Sequence, residues 1–299
     1  MHPDLPIRYV EPVFRPPSEA RSLILPVTDG CSWNRCTFCE MYTQPQKKFR
    51  AREEGEVLET IRRSGAMFGH RVRRIFLADG DALVLPTHRL MRILEAIREH
   101  FPGIERVGSY CLPRNLKRKS VQELTELREA GLGIAYVGAE SGDDLVLDKV
   151  DKCETFDSTR DALDKLGQAG IVRSVMILNG LGGRIHSLRH AENSARLANT
   201  TQPEYLATLV VSFPQGEVRF RERFPEWEPL DRPGLFREME CLLEALELER
   251  TEFRSDHASN WLALKGQLGR DKSRLLTQLR QAIERPDQAG LRPDWARGL

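Results

Sequence analysis

The chain has 299 residues, with 45 Lys and Arg against 44 Asp and Glu, for a formal net charge of +1. That length holds one large α/β barrel-like domain or two smaller ones. The even charge balance gives no support for a general nucleic-acid binder that works by bulk charge. Basic runs are local, at Lys47–Arg52, His70–Arg74 and Arg114–Lys119; such runs are either solvated faces or short nucleic-acid contacts. The opening MHPDLPIRYVEPVF has no apolar segment after basic residues, and no apolar run approaches ~18 residues, so neither a signal peptide nor a membrane helix is expected. A cytoplasmic setting, where thiols stay reduced, is the expectation.

In chain order, Ser22–Thr28 reads as a buried strand, Glu54–Met67 as a helix, Arg74–Ala78 as a strand, and Thr87–His100 as a helix with Leu90, Ile93, Leu94 and Ile97 on one face. Arg106–Tyr110 is the third strand. The following helix, Ser120–Ala130, opens on a Ser120/Glu123 capping box. Strand Gly133–Gly138, helix Asp157–Gln168, strand Ile171–Leu178, helix His186–Asn199 and strand Glu204–Phe213 complete six β–α units. Such alternation predicts a parallel sheet with crossover helices, either a partial barrel or an open doubly wound sheet, with ligands at the carboxyl ends of the strands.

After Phe213 the pattern changes. Pro214–Gly234 is rich in proline and charge and reads as an irregular loop. Leu235–Leu248 is an amphipathic helix, Thr251–Gly266 a strand and polar loop, Asp271–Glu284 a last helix, and residues 285–299 a loosely held tail.

Three of the six cysteines fall in the segment VTDGCSWNRCTFCEMY as Cys31, Cys36 and Cys39. Structural zinc wants four ligands and finds only three here, unless a remote residue completes the set. A redox dithiol would use Cys36 and Cys39 and leave Cys31 unexplained. A cubane iron–sulfur cluster on three thiolates keeps one iron without a protein ligand, and so open to chemistry. Other unusual residues lie at later strand ends: Asp79, Gly80 and Asp81 after the second, Glu140 and Ser141 after the fourth, Asn179 and Gly180 after the fifth. No GxSxG elbow and no glycine-rich dinucleotide turn after the first strand is present, which disfavours a hydrolase or dehydrogenase.

The cysteine segment resembles the cluster loop of the radical S-adenosylmethionine (SAM) superfamily, whose usual pattern is Cys, three residues, Cys, two residues, Cys, with an aromatic before the last. Phe38 fills that aromatic position; the departure is four residues between Cys31 and Cys36. ADGDAL at Ala78–Leu83 is similar to the family's Gly-Gly-Glu-like turn. GAESGDDLVLDKVDK at Gly138–Lys152 is similar to the elongator-subunit and methylthiotransferase branch, and NGLGG at Asn179–Gly183 to the family's glycine-rich adenine segment. The whole chain resembles a group described only as radical SAM core proteins.

The resemblance implies a partial (β/α)6 barrel over residues 22–216, after an N-terminal strap at 1–21, with a small C-terminal α+β extension at 217–299 over the barrel opening. It implies a 4Fe–4S cluster on Cys31, Cys36 and Cys39. It implies SAM contacts at Asp79, Gly80, Asp81, Glu140, Ser141, Lys152, Asn179 and Gly180. The chemistry implied is reductive cleavage of SAM to a 5′-deoxyadenosyl radical that takes hydrogen from a substrate, with a flavodoxin- or ferredoxin-like one-electron donor. A small-molecule substrate is favoured over RNA, and a non-catalytic zinc protein is the other alternative.

FRSDHASN at Phe253–Asn260 has two readings. In one, Arg254, Asp256 and His257 face the substrate. In the other, Ser255, Asp256, Ser259 and Asn260 bond the backbone and cap the next element. His186 and His190, at i and i+4, have metal-binding spacing but no third ligand nearby.

Overall fold

The computed structural model describes residues 6–298. The chain forms two compact units, one built from residues up to 34 with 41–137 and 164–173, the other from 35–40, 138–163 and 174 onward. In chain order the strands of the main sheet are β1 (Leu23–Pro26), β4 (Arg74–Ala78), β5 (Arg106–Cys111), β6 (Leu132–Glu140), β7 (Val172–Asn179), β8 (Tyr205–Val210), β9 (Glu252–Ser255) and β10 (Leu264–Gln267). A two-stranded ribbon, β2 (Thr28–Asp29) and β3 (Arg50–Ala51), stands apart from it. The sheet order is β1-β4-β5-β6-β7-β8-β9-β10, open, with β1 and β10 at its edges. Each strand follows its predecessor with no reversal of order. That is the barrel-type sequence; a doubly wound sheet has a switch point.

In the first unit β1, β4, β5 and β6 pair in parallel, Leu23 opposite Ile75 and Tyr110 opposite Tyr136. Helices α1 (Glu54–Phe68), α2 (Thr87–His100) and α3 (Val121–Glu129) supply the crossovers. The α2 face expected from periodicity is the buried one: Leu90, Ile93, Leu94 and Ile97 are each at most 1% exposed. Each such side chain contributes roughly 1.5–3 kcal/mol. The Ser120/Glu123 capping box at the start of α3 is present with both bonds made.

In the second unit β7, β8 and β9 are parallel and β10 closes antiparallel on β9. Its helices include α4 (Asp144–Lys149), α6 (Gly183–Thr201), α7 (Val218–Arg223), α8 (Arg232–Ala245) and α9 (Leu268–Glu284), and α5 (Phe156–Gln168) begins there.

Three expectations are corrected. The stretch read as an irregular loop holds α7, whose Phe220 joins Phe224, Trp227, Val146, Val150 and Leu181 in an aromatic-rich core. The segment Asp144–Lys149, read only as a motif, is helix, capped by Asp143 through the Val146 N–H. The tail is docked: Arg292 donates to the carbonyls of Asp256 and Asn260 at 3.0 Å each, and the Arg297 guanidinium lies 3.3 Å over the Trp261 ring.

Candidate functional site

Within the first unit, β1 runs into Thr28, Asp29 and Gly30, and Gly30 takes a left-handed φ of +69°. A Cβ there would meet the Lys47 carbonyl at 2.1 Å, so glycine is required twice over. Cys31 follows, half-buried. The turn after β4 grips both sides of it. The Gly30 N–H donates to Asp79 Oδ2 (3.0 Å), the Ser32 N–H to Asp81 Oδ1 (2.8 Å), and the Gly80 N–H to the Gly30 carbonyl (2.9 Å).

Asp79 Oδ2 also takes the Lys47 ammonium at 2.7 Å, and Asn115 Nδ2 donates to Asp81 at 3.0 Å. Lys47, which reads in the sequence as part of a basic surface run, is fully buried. Arg50 and Arg52 of the same run pair with Asp29. Three of the run's four basic residues thus brace the fold through carboxylates, while Lys48 is exposed. Burial pushes the Asp79 and Asp81 carboxyls above the ordinary carboxylate range, against the opposing pull of Lys47 on one and Ser32 on the other.

The extra residue between Cys31 and Cys36 is absorbed at Asn34. Its φ is +45°, and its side-chain amide donates to the Tyr42 carbonyl at 2.8 Å. Asparagine tolerates the left-handed region better than most residues.

Within the second unit, Cys36 and Cys39 form a tight turn, with the Cys39 N–H donating to the Cys36 carbonyl at 3.1 Å. Thr37 N–H bonds the Val150 carbonyl at 2.9 Å, and Phe38 packs on the aromatic core. Arg219, on α7, donates to the carbonyls of Cys36 (2.7 Å) and Cys39 (3.2 Å). Sequence reasoning missed Arg219 because its helix was read as loop.

Glu140 ends β6 with a φ of +65°, and its Oε1 lies 3.2 Å from Lys152 Nζ with both side chains buried. Gly138 makes room for that carboxylate: a Cβ there would sit 2.1 Å from Glu140 Oε1. Ser141 is committed inside the protein. Its Oγ accepts from the Asp143 N–H (3.0 Å) and bonds His190 Nδ1 (2.8 Å). His190 Nε2 lies 3.0 Å from the Leu178 carbonyl, so Nε2 carries a proton and donates to it. His186 stacks on Phe224 at 5.9 Å. Among the described residues no group of three or more His, Cys, Asp or Glu side chains is placed to hold a metal ion, around this histidine pair or elsewhere.

Gly180 is also engaged. Its N–H donates to Glu238 Oε1 at 2.6 Å, and its carbonyl accepts from Trp227 Nε1 at 3.2 Å. Glu238, buried on α8 and bonded as well to Ser187 Oγ at 2.6 Å, is a second residue missed by periodicity, which marks apolar positions only.

Three buried side-chain oxygens at strand ends have no hydrogen-bond partner among the described residues: Asp79 Oδ1, Glu140 Oε2 and Asn179 Oδ1. All three belong to residues expected to contact SAM. A buried polar atom left unpaired calls for a ligand or water. Asn179 lines a cavity of about 20 Å³, room for one water.

Arg254 stacks over Tyr205 at 5.4 Å, Asp256 is exposed, and His257 Nδ1 accepts from the Ser259 N–H at 3.1 Å. Asn260 ties the loop to β8, accepting from the Val210 N–H and donating to the Thr208 carbonyl, both at 2.9 Å.

The radical SAM superfamily profile matches residues 25–198, more than half of the chain. The chain belongs to the radical SAM superfamily. A curated relative by sequence, the heme chaperone HemW of Bacillus subtilis (strain 168), is 21% identical over 176 residues, which is 57% of this chain and 45% of HemW. By structure, the chain is similar to the radical SAM methyltransferase TsrM of Kitasatospora setae, solved with cobalamin and a [4Fe-4S] cluster (TM-score 0.51, 16% identity, 62% of this chain and 34% of TsrM). It is also similar to archaeal Elp3 of Methanocaldococcus infernus (TM-score 0.52, 11% identity, 89% of this chain and 63% of Elp3). The chain spans less than two thirds of each of these proteins. At such identities the likeness establishes the fold class, the partial radical SAM barrel that the resemblance implied and the strand order indicates. No helix among the described residues is long and apolar enough to cross a membrane.

Proposed function

We propose that this radical SAM protein is an enzyme that binds a 4Fe–4S cluster through Cys31, Cys36 and Cys39 and cleaves SAM reductively to act on a small-molecule substrate in the cytoplasm. The observation that carries the reading is the way the loop is held. Asp79 and Asp81 grip the residues on either side of Cys31, and Arg219 holds the carbonyls of Cys36 and Cys39. Three thiols are thus presented on backbone fixed by charge-assisted hydrogen bonds, the strong class of such bonds.

The donor set fits the group. Three cysteines suit a cubane with one open iron, and the unpartnered oxygens of Asp79, Glu140 and Asn179 suit the ammonium and hydroxyl donors of SAM. When bound, the cluster and SAM together supply one-electron chemistry that yields a 5′-deoxyadenosyl radical, with the electron from a flavodoxin- or ferredoxin-like donor. The protein's own part is placement. Asp79 offers Oδ1 to an ammonium, and Lys152 holds Glu140 so that its second oxygen is presented. Asp81 and Gly80 act on the cysteine loop, Ser141 through His190, and Gly180 through Glu238. We assign the cofactor chemistry to residues 22–216, preceded by the strap at 1–21, and the substrate side to the extension at 217–299. There His257, neutral because burial and Arg292 lower its pKa, keeps Nε2–H as a donor, with Arg254 and Asp256 beside it in sequence.

The test is anaerobic reconstitution with iron and sulfide, followed by SAM and dithionite and a chromatographic assay for 5′-deoxyadenosine. The expected result is a brown protein that forms 5′-deoxyadenosine, with both colour and product lost in Cys36→Ala. A colourless, zinc-loaded protein, or a Cys36→Ala variant with full iron and turnover, overturns the reading. His257→Ala is expected to keep the iron and slow substrate turnover.

A further inference from the structure

The sheet of the second unit has two faces of different character. Val210, Ser255 and Leu264 line one cavity with Leu235 of α8 and Leu279 of α9, so that side of β8, β9 and β10 packs on the helices. Side chains alternate across a strand, and the residues between these three face the other way. On that far face the pairing register sets Ala207 of β8 beside Arg254 of β9, and Arg254 opposite Lys265 of β10. Met176 of β7 extends the row beyond Ala207. Met176, Ala207 and Arg254 are partly exposed and Lys265 is exposed, so a small molecule can reach the row.

Two cations meet in this row without an acceptor between them. Among the described residues the Arg254 guanidinium makes no hydrogen bond and no ion pair, and its Nε is buried. It lies over the Tyr205 ring at 5.4 Å, a contact that orients the fork and leaves its in-plane N–H donors unused. A buried donor left without an acceptor is costly and points to a ligand or water. The Lys265 ammonium likewise makes no ion pair among the described residues. Directly opposite residues of an antiparallel pair have Cβ atoms about 5 Å apart, and like charges so placed repel. Glu252 is the one carboxylate on this face of β7 to β10; it stands a row back, opposite Tyr205. It makes no ion pair with either cation, and Arg270 on α9, held first by Asp271, also feels its charge.

We propose that the substrate carries an oxyanion, a carboxylate or a phosphate, and that Arg254 and Lys265 bind it on this face. The proposal rests on the functional reading above, which puts the substrate side in the extension, and it adds the chemical class. An oxyanion would take the unused donors of the planar guanidinium in the two-point geometry that arginine favours. The same charge would relieve the repulsion between Arg254 and Lys265. Met176 and Ala207, the one flexible and the other small, leave an uncharged surface beside the charged end for the rest of the molecule.

The test needs neither cluster nor SAM. The full chain, labelled with nitrogen-15 and free of iron, is titrated with benzoate, with phenyl phosphate and with benzyl alcohol as the uncharged control. The readout is the Arg254 Nε–Hε NMR resonance, assigned by its loss in Arg254→Lys. The expected result is a saturable shift with at least one anion, with a Kd of about 1 mM or tighter, and none with benzyl alcohol. Benzoate alone identifies a carboxylate, phenyl phosphate alone a phosphate ester, and both an oxyanion read by its shared chemistry. Ligand-detected NMR should show binding about tenfold weaker in Arg254→Gln and about threefold weaker in Lys265→Gln, whose exposed position spares the fold. No shift with either anion overturns the proposal, as does an equal shift with benzyl alcohol or undiminished binding by both variants. The two readings fail separately. A chain that forms 5′-deoxyadenosine but binds neither anion loses the anion site alone. One that binds an anion through Arg254 but assembles no cluster keeps the anion site and loses the cofactor reading.

Discussion

Gly80 lies flat against Cys31: a Cβ on Gly80 would stand 2.7 Å from the Cys31 Cβ and 2.9 Å from both the Cys31 Cα and the Gly30 carbonyl. Those neighbours are backbone and the root of a side chain, and they cannot swing away. Gly80→Ala is therefore expected to push Cys31 out of place. Stability should fall by about 1–3 kcal/mol, and iron retained after reconstitution should drop by more than its parent's scatter. Urea unfolding and an iron assay check both, and an alanine variant with full iron and unchanged stability would contradict the close contact.

Asn34 carries the loop's extra residue in a left-handed conformation. Asn34→Val places a β-branched side chain there and should cost about 1–3 kcal/mol. Asn34→Gly relieves the backbone but loses the bond to the Tyr42 carbonyl, and should cost about 0.5–1.5 kcal/mol. The order of the two melting temperatures, glycine above valine, is the measurement.

Arg219 reaches two carbonyls of the Cys36–Cys39 turn at once. Arg219→Lys can replace one bond and Arg219→Ala neither. Hydrogen bonds to charged groups are worth about 1.5–3 kcal/mol. The half-life of the brown chromophore in air is expected to fall in the order parent, lysine, alanine. Equal bleaching in all three would remove Arg219 from the account of the site.

Glu238 offers a pH test. Burial raises its carboxyl above the ordinary range, against the pull of His190, Ser187 and the Gly180 N–H. The folded state thus holds the proton more tightly than the unfolded one. The stability this brings is complete below the unfolded carboxylate pKa and is lost as pH rises through the folded value. Glu238→Gln mimics the protonated acid, keeping an acceptor for Gly180 and a donor for Ser187. It should flatten the decline in stability as pH rises from the unfolded carboxylate pKa through the higher folded one. Glu238→Ala orphans the buried Gly180 N–H and should cost about 1–3 kcal/mol at every pH. Urea melts across that range separate the two.

The long crossover helices and the six strands were legible because one side of each is apolar at a fixed period, and α2 buries the four residues that the period selects. The helix α7 was not legible. It lies in a proline- and charge-rich run, Val218 on it is 73% exposed, and Phe220 is the one residue it buries. The docked tail was hidden for a related reason, since arginine–carbonyl and arginine–indole contacts leave no periodic trace.

At the site, the three cysteines were legible from spacing, and Asp79 and Asp81 were legible as unusual carboxylates at a strand end. Their hydrogen-bond partners were not. A carboxylate in a sequence says that it accepts hydrogen bonds and is silent on whether the donor is a ligand or the protein's own backbone. Lys47 shows the same limit from the other side, because nothing in KKFRAR marks one lysine as buried against Asp79. Glu238 is a charged residue within an amphipathic helix, and only tertiary packing tells that it faces inward.

The left-handed Asn34 also bears on how such loops evolve. Inserting a single codon between the first two cysteines does not require recutting the strand before them, provided that the inserted position tolerates a positive φ and its side chain finds one backbone anchor. The spacing of the cysteines and the grip on Cys31 are thus set by different residues, the first by the left-handed turn at Asn34 and the second by Asp79 and Asp81.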